Sequence, residues 1–394
     1  MTENTRVFIT AARRTPIGGF QGVLSAVSAT QLGAAAVRAA LTDSKLPADR
    51  VSEVILGCVL QAGLGQGPAR QAALAASIPA SVPAVTVNKL CGSGMKAIML
   101  GFDQIRADSA AVVLAGGFES MSNAPYLLLK ARQGYRMGND KVYDHMFLDG
   151  LVSPYDEKLM GCFADATAAK YGFTREHQDA FAAESVRRAL TASDSGAFAR
   201  EITAVTVQDR KVSRVVEKDE SPYTCDIGKI PTLRAAFSKD GTVTAASSSS
   251  ISDGAAAVTM MSGTALREFD SVPLARVIAH ASHSQAPEWF TTAPVTAIRS
   301  VLAKAGWRAA DVDLYEINEA FACVTMAAMH DVDIDHAKVN VNGGACALGH
   351  PIGATGARLV TTLIYALLAR GLQRGVAALC IGGGEATAIA LEIV

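Results

Sequence analysis

A helical stretch, a short break and a strand occur twice in this chain, in the same order. Residues 30–59, TQLGAAAVRAALTDSKLPADRVSEVILGCV, set the plan, and residues 293–320, APVTAIRSVLAKAGWRAADVDLYEINEA, repeat it, with Val51 answering to Val312 261 positions later. Further on, VVLAGGFES at 112–120 resembles AALCIGGGEA at 377–386, with Gly116 answering to Gly382 at an offset of 266. Two similar offsets from separate segments point to a duplicated domain. The residue-level match is weak, and ordinary α/β patterning is the alternative to duplication. Strand-like segments such as RVFITAA, VSEVILGCV, SAAVVLAGG, ARVIAHAS, VDLYEIN and VAALCIGGG alternate with alanine-rich helical stretches. That alternation predicts α/β units whose parallel strands are buried on both faces. At 394 residues the chain is longer than one core usually supports, so two or three domains are expected.

Between the copies, over about 122–251, the texture changes. DRKVSRVVEKDESPY is a charged run of little periodicity, and AASSSSISDG is a serine-rich loop. A solvated face explains most of the charges, yet an insertion this long between repeats also suits a lid or binding region. The expected division is a first half over 1–121, completed by about 252–272, an inserted loop domain over 122–251, and a second half over 273–394.

Charge excludes several functions. A formal net charge of −1, with basic and acidic residues interspersed, gives no footprint for nucleic acid and no basic patch for a membrane surface. The seven cysteines, at 58, 91, 162, 225, 323, 346 and 380, are odd in number, widely spaced and without a C-x-x-C pair. Neither a disulfide framework nor a structural zinc site is expected, and a reducing compartment is. His280, His283, His330 and His336 lack metal-ligand spacing. No apolar run approaches the roughly 18 residues of a membrane span, the first residues carry no signal-peptide core, and LEIV is no peroxisomal address. A soluble, cytoplasmic protein is the expectation. AGLGQGPAR lacks the third glycine of a dinucleotide fingerprint, and GGACALGHPIGATG has no G-K-[ST] for a nucleoside triphosphate.

Chemistry is suggested first by VNKLCGSGMKA, residues 87–97. AVTVN before it reads as a short strand, while Met95, Ile98, Met99, Phe102 and Ile105 repeat at helical spacing after it. Cys91 is thus expected on a strand-to-helix turn, where backbone N–H groups lower a thiol's pKa. This segment alone leaves a nucleophile and a buried packing cysteine equally open. Three later segments decide. NEAFA at 318–322 follows a strand, NVNGGACALGHPIGATGAR at 340–358 sets His350 among five glycines, and LCIGGGEATA puts Cys380 at the end of an apolar run. Together with Cys91 they supply a thiolate nucleophile, a histidine to activate it, a second proton-transfer group and donors for an oxyanion. Cys346, four residues before His350, reads as packing with room for redox sensitivity.

These four segments resemble the signature segments of the thiolase family, which includes acetyl-CoA acetyltransferases and 3-ketoacyl-CoA thiolases, and the similarity runs from ARRTPIGGF to the last strand. The resemblance implies a five-layered α/β/α/β/α duplicated fold with an inserted loop domain over the substrate channel. It implies Cys91 as the nucleophile that takes an acyl group from acyl-CoA, with His350 accepting its proton, so that Cys91 is poised as an anion. Cys380 is then the base that deprotonates the α-carbon of a second acetyl-CoA. Asn318 holds a water that forms one oxyanion hole with His350, and the N–H groups of Cys91 and Gly382 form the other.

For coenzyme A the resemblance implies Ser249 at the pantetheine arm, with Phe237 and Phe321 beside it, and Met160 lining the acyl pocket. Leu159 stands where biosynthetic members often have histidine, which leaves chain length open. Lys211, Arg214 and Lys229 are candidates for the CoA phosphates. The implied activity is reversible condensation of two acetyl-CoA to acetoacetyl-CoA and CoA, with no cofactor or metal, by a homodimer or homotetramer. Three alternatives stand: a 3-ketoacyl-CoA thiolase for longer chains, a decarboxylating ketoacyl synthase, against which Cys380 and NEAFA speak, and a silent acyl-CoA carrier.

Overall fold

The computed structural model describes residues 6–209 and 212–394. The first half comprises β1 (Val7–Arg14), α1 (Ala29–Ser44), β2 (Glu53–Gly57), α2 (Pro68–Ala75), β3 (Ala84–Val87), α3 (Ser93–Arg106) and β4 (Val112–Ser120). A long insertion carrying α4 (Met160–Tyr171) and α5 (Arg175–Asp194) precedes β5 (Ser252–Ser262), which returns to the first half. The second half runs β6 (Ala275–Ser284), α6 (Ala293–Ala305), β7 (Leu314–Ile317), α7 (Ala322–Val332), α8 (Thr355–Arg370), β8 (Arg374–Ile381) and β9 (Glu385–Ile393).

Strand pairing repeats between the halves. Outward from the middle of the sheet the first half reads β1-β5-β4-β2-β3 and the second reads β6-β9-β8-β7, with a parallel bridge from Tyr315 to Val339 where a fifth strand would stand. In both, the two inner pairings are antiparallel and the outer ones parallel. Antiparallel contacts Val7↔Val277 and Ile9↔Ala275 join β1 to β6, so the two sheets form one path.

Two expectations are corrected here. The sheet is mixed rather than parallel, because β8 and β9 are joined by a glycine turn too short for the dozen-residue crossover that parallel strands need. The offset of 266 is also out of register. Val54 pairs with Leu114 and Tyr315 with Val376, so β4 and β8 correspond at 262 and Gly116 answers to Ala378.

Both faces of the sheet are covered. Along β4, Val112 and Leu114 pack into the cluster containing Leu32 and Val37 of α1, while Val113 and Ala115 join Met95, Ile98 and Leu363 on the other side. The helices α1 and α2 cover the first half from outside, and α6 covers the second, with α7 packed against α6. Between the halves lie α3 and α8, in contact with each other and with strands of both, which makes five layers. The helical spacing read from Met95 to Ile105 falls on the buried side of α3.

Glycine makes the central contact possible. A Cβ on Gly356 would lie 2.3 Å from the backbone nitrogen of Met95, and one on Gly94 would lie 2.9 Å from the Gly353 carbonyl. The starts of α3 and α8 therefore meet backbone to backbone. The insertion is tied to β1 by fully buried Arg14, whose guanidinium binds Glu201 at 2.6 Å and Asp219 at 2.7 Å. Among the described residues, no helix is long and apolar enough to cross a membrane.

Candidate active site

The turn that carries Cys91 is fixed by its own side chains. Asn88 Oδ1 accepts the Leu90 N–H at 3.0 Å, while Ser93 Oγ accepts the Lys89 N–H at 2.8 Å and donates to the Leu90 carbonyl at 2.6 Å. Leu90 takes a left-handed φ of 47°, and Gly92 lies so close to Ile381 that a Cβ would come within 2.3 Å of its Cδ1. The turn is thereby pressed against the end of β8 from the other half. The N–H groups of Gly382 and of Cys91 itself point at the Cys91 sulfur.

That sulfur is not the resting anion the sequence predicted. Burial pushes the Cys91 thiol up to about 11, outweighing the two N–H donors that pull it down, and the carboxyl of Glu119 adds to the rise. A helix start stabilises a thiolate by an amount that desolvation here exceeds.

His350 lies just ahead of α8 and is buried. Its N–H donates to the Ser250 carbonyl at 3.1 Å, tying it to the serine-rich loop. Nδ1 is 2.6 Å from Thr355 Oγ1, whose single proton goes to the Pro351 carbonyl at 2.9 Å. The hydrogen-bond network thus assigns the proton to Nδ1 and leaves the lone pair on Nε2. Nε2 lies 3.5 Å from Asn318 Nδ2. Burial, aided by the Arg358 charge, lowers the imidazole to about 3, so it is neutral at physiological pH. Asn318 is buried, with its N–H on the Ala378 carbonyl at 3.0 Å, and its Oδ1 has no partner among the described residues.

Cys380 is fully buried near the end of β8, and burial holds its thiol well above the usual range. Gly382 follows at the start of the β8–β9 turn, which Gly383 and Gly384 complete at φ of 85° and 89°.

One cavity of about 440 Å³ gathers these groups: Cys91, His350, Cys380 and Gly382 line it, with Ser249, Phe237, Phe321, Met160 and Leu159 around them. Phe237 and Phe321 meet edge to face at 5.8 Å. The serine loop is pinned to the NEAFA segment, Ser249 N–H to the Ala320 carbonyl at 3.0 Å and Ala322 N–H to the Ser247 carbonyl at 2.8 Å. Asn318 is not among the lining residues and reaches the cavity through His350. Two of the three candidate phosphate ligands, Arg214 and Lys229, do not line this cavity. Arg214 donates to the Val23 carbonyl at 2.8 Å, Lys229 pairs with Asp226 at 3.2 Å, and Lys211 lies outside the described residues. Cys346 lies beside Glu319, its N–H 3.0 Å from Oε2.

Sequence reasoning missed Glu119 and Thr355. Glu119, fully buried at the end of β4, accepts the N–H groups of Val59, Leu60 and Gly353 at 3.0, 3.1 and 3.0 Å. It therefore joins a first-half loop to the His350 loop. Burial pushes it up to about 7 against those donors. The only available signal was a carboxylate closing an otherwise apolar strand, VVLAGGFES. Thr355 gave none beyond standing five residues after His350. Among the described residues, no group of three or more His, Cys, Asp or Glu side chains could hold a metal ion.

Comparison with known proteins covers the whole chain. Residues 7–264 match the thiolase N-terminal domain and 271–393 the thiolase C-terminal domain. An acetyl-CoA acetyltransferase of Pseudomonas aeruginosa is 48% identical over 387 residues, 98% of each chain. One of Escherichia coli K12 is 47% identical over 386 residues, again 98% of each. Among solved structures, the Bacillus anthracis acetyl-CoA acetyltransferase superposes with a TM-score of 0.97 at 40% identity, covering 99% of both chains. Acat5 thiolase from Ascaris suum in complex with coenzyme A gives 0.93 at 41% identity, covering 99% of this chain and 100% of that one.

Proposed function

Since the chain belongs to the thiolase family, we propose that it is an acetyl-CoA C-acetyltransferase, joining two acetyl-CoA to acetoacetyl-CoA and CoA through an acyl-enzyme on Cys91, and running in reverse as a thiolase. The observation that carries this is a single cavity lined by two thiols, one imidazole and the Gly382 backbone, contributed by separate segments of both halves.

The neutral thiol and neutral imidazole dictate the order of proton transfers. Cys91 Sγ attacks the thioester carbonyl while His350 Nε2 takes its proton. The new oxyanion faces the N–H groups of Cys91 and Gly382, the two already aimed at the sulfur. The C–S bond to coenzyme A breaks, and the departing thiolate takes the proton of Cys380. Cys380, now a thiolate, removes an α-proton from the second acetyl-CoA. The enolate oxygen is held by protonated His350 and by a water on Asn318, a placement supported by the unpartnered Oδ1. The enolate carbon attacks the acyl-Cys91 carbonyl, the carbon–carbon bond forms, the Cys91 thioester breaks, and His350 returns the proton to sulfur. Each oxyanion donor is worth about 3–4 kcal/mol of barrier.

Phe237, Phe321 and Ser249 hold the pantetheine arm, and Met160 and Leu159 the acyl end. By the same reading the enzyme works in the cytoplasm without metal or cofactor, as a homodimer or homotetramer. Exposed Tyr126, Leu129, Met137 and Tyr155 in the insertion support self-association. Intact mass after brief mixing with acetyl-CoA, followed by peptide mapping, tests the proposal: an acetyl adduct on Cys91 is expected, and CoA binding without any adduct would overturn it in favour of a carrier.

A further inference from the structure

A second cavity, of about 200 Å³, adjoins the catalytic one, and Gly150, Met160 and Gly382 line both. The partition between them is one turn of π-helix, Phe147–Leu151, closed by the Val152 N–H on the Phe147 carbonyl at 2.9 Å. Phe147 and Leu151 face the catalytic cavity, whereas Leu148 and Asp149 face the other, whose wall continues in Val152 and Pro154. A π-turn is rare and needs outside support to persist.

That support is His145, which is buried and bonded on every polar atom of its ring. Nε2 accepts the Ala62 N–H at 3.3 Å, so the ring proton is on Nδ1, which donates to Asp149 Oδ2 at 2.6 Å. The backbone N–H of His145 donates to the Pro125 carbonyl at 3.1 Å. The loop it grips is itself rigid, since Glu119 holds Val59 and Leu60. Below the turn, Met146, Leu60 and Ile352 form an apolar cluster on which Leu151 and Cys91 pack. His145 therefore clamps the partition to the same block that carries the reactive thiol.

We propose that His145 and Asp149 are specificity-determining positioning residues, holding the Phe147–Leu151 turn as the wall that ends the acyl part of the catalytic cavity, so that releasing them joins the second cavity to it and admits 3-ketoacyl chains longer than four carbons. The proposal rests on the thiolase reading above. Asp149 is half exposed, so truncating it removes the clamp without opening a hole in the core.

Thiolysis of acetoacetyl-CoA and of 3-ketohexanoyl-CoA is compared for the wild type, Asp149→Ala and Asp149→Asn. One methylene in an apolar pocket is worth at least about tenfold in discrimination. In Asp149→Ala the kcat/KM ratio of the six-carbon to the four-carbon substrate is expected to rise by about that factor, through a lower KM for the longer one. Asp149→Asn, which keeps an acceptor for Nδ1–H, should return the ratio toward the wild-type value. An unmoved ratio in Asp149→Ala, or a proportionate fall on both substrates, overturns the partition while leaving the thiolase reading intact. A wild type that cleaves neither substrate overturns that reading instead.

Discussion

The starts of α3 and α8 are equivalent places in the two halves, yet one is preceded by a thiol and the other by an imidazole. Both halves have the same strand order, and their two central helices meet at Gly94 and Gly356, close enough that a single methyl group would collide with backbone or side chain. Duplication thus supplies a pair of helix starts in contact, and divergence of the residues just ahead of them supplies the thiol and the imidazole that the proposed mechanism uses as nucleophile and base. A second contrast separates the two thiols. Cys91 receives the N–H groups of Gly382 and of its own residue, whereas Cys380 sits deeper, with only its own N–H opposing burial. The difference teaches that the two sulfurs stand in unequal surroundings, which suits the proposed division in which one becomes a thioester and the other carries a proton.

Replacing each sulfur by oxygen breaks this comparison most sharply. Cys91→Ser should lose the acetyl adduct altogether, with turnover down by on the order of 10⁴-fold or more, as expected when a nucleophile that acts in concert with its base is removed. Cys380→Ser should still acquire the adduct on Cys91, but fail to exchange the α-protons of acetyl-CoA, lowering condensation by about 10³-fold. Intact mass and deuterium exchange followed by NMR read the two steps separately. Equal loss of acylation in both variants would show that the roles are not divided.

A smaller effect sharpens the comparison between the two oxyanion sites. In the proposed mechanism one is built from backbone N–H groups and resists mutation, while the other depends on Asn318 and His350. Asn318→Ala should lower condensation by about 10²-fold, the lower end for loss of one oxyanion donor. It should leave formation of the adduct within a few-fold, because the acyl transfer uses the backbone site. Stopped-flow release of CoA in single turnover, set beside steady-state condensation, checks the split.

How much of this was legible beforehand depended on range. The strand-to-helix turn at Cys91, the buried face of α3, and the meeting of His350 with Cys380 in one cavity and with Asn318 behind it follow from short segments whose spacing and composition carry their meaning locally. Whereas the β8–β9 hairpin was written in its glycine turn and went unread, the antiparallel pairings of β5 with β4 and of β9 with β6 escaped because no local pattern names those partners. Glu119 escaped for the same reason, its three N–H partners lying 59, 60 and 234 residues away. The duplication was visible, but glycine matched to glycine gave the wrong offset, since a turn glycine and a strand glycine serve different backbones. The sign of the Cys91 shift was missed because a helix start is written in sequence, whereas desolvation sums over neighbours from the whole fold.

That sign is itself open to measurement, and it separates a neutral pair from an ion pair. With the thiol raised to about 11, Cys91 at pH 7 to 10 is on the protonated side of its titration, so its thiolate fraction rises tenfold with each pH unit. Only the thiolate is alkylated. The rate of iodoacetamide labelling at Cys91, followed by peptide mass spectrometry to exclude the other cysteines, should therefore climb about tenfold per unit with no plateau. A thiolate held by imidazolium would behave differently, reacting at a rate that levels off near neutrality. His350, lowered to about 3 by burial, cannot supply that cation in the resting enzyme. A flat profile above pH 7 would mean that the ion pair exists before substrate arrives; a steady climb would mean that the proton leaves Cys91 only as the thioester is attacked.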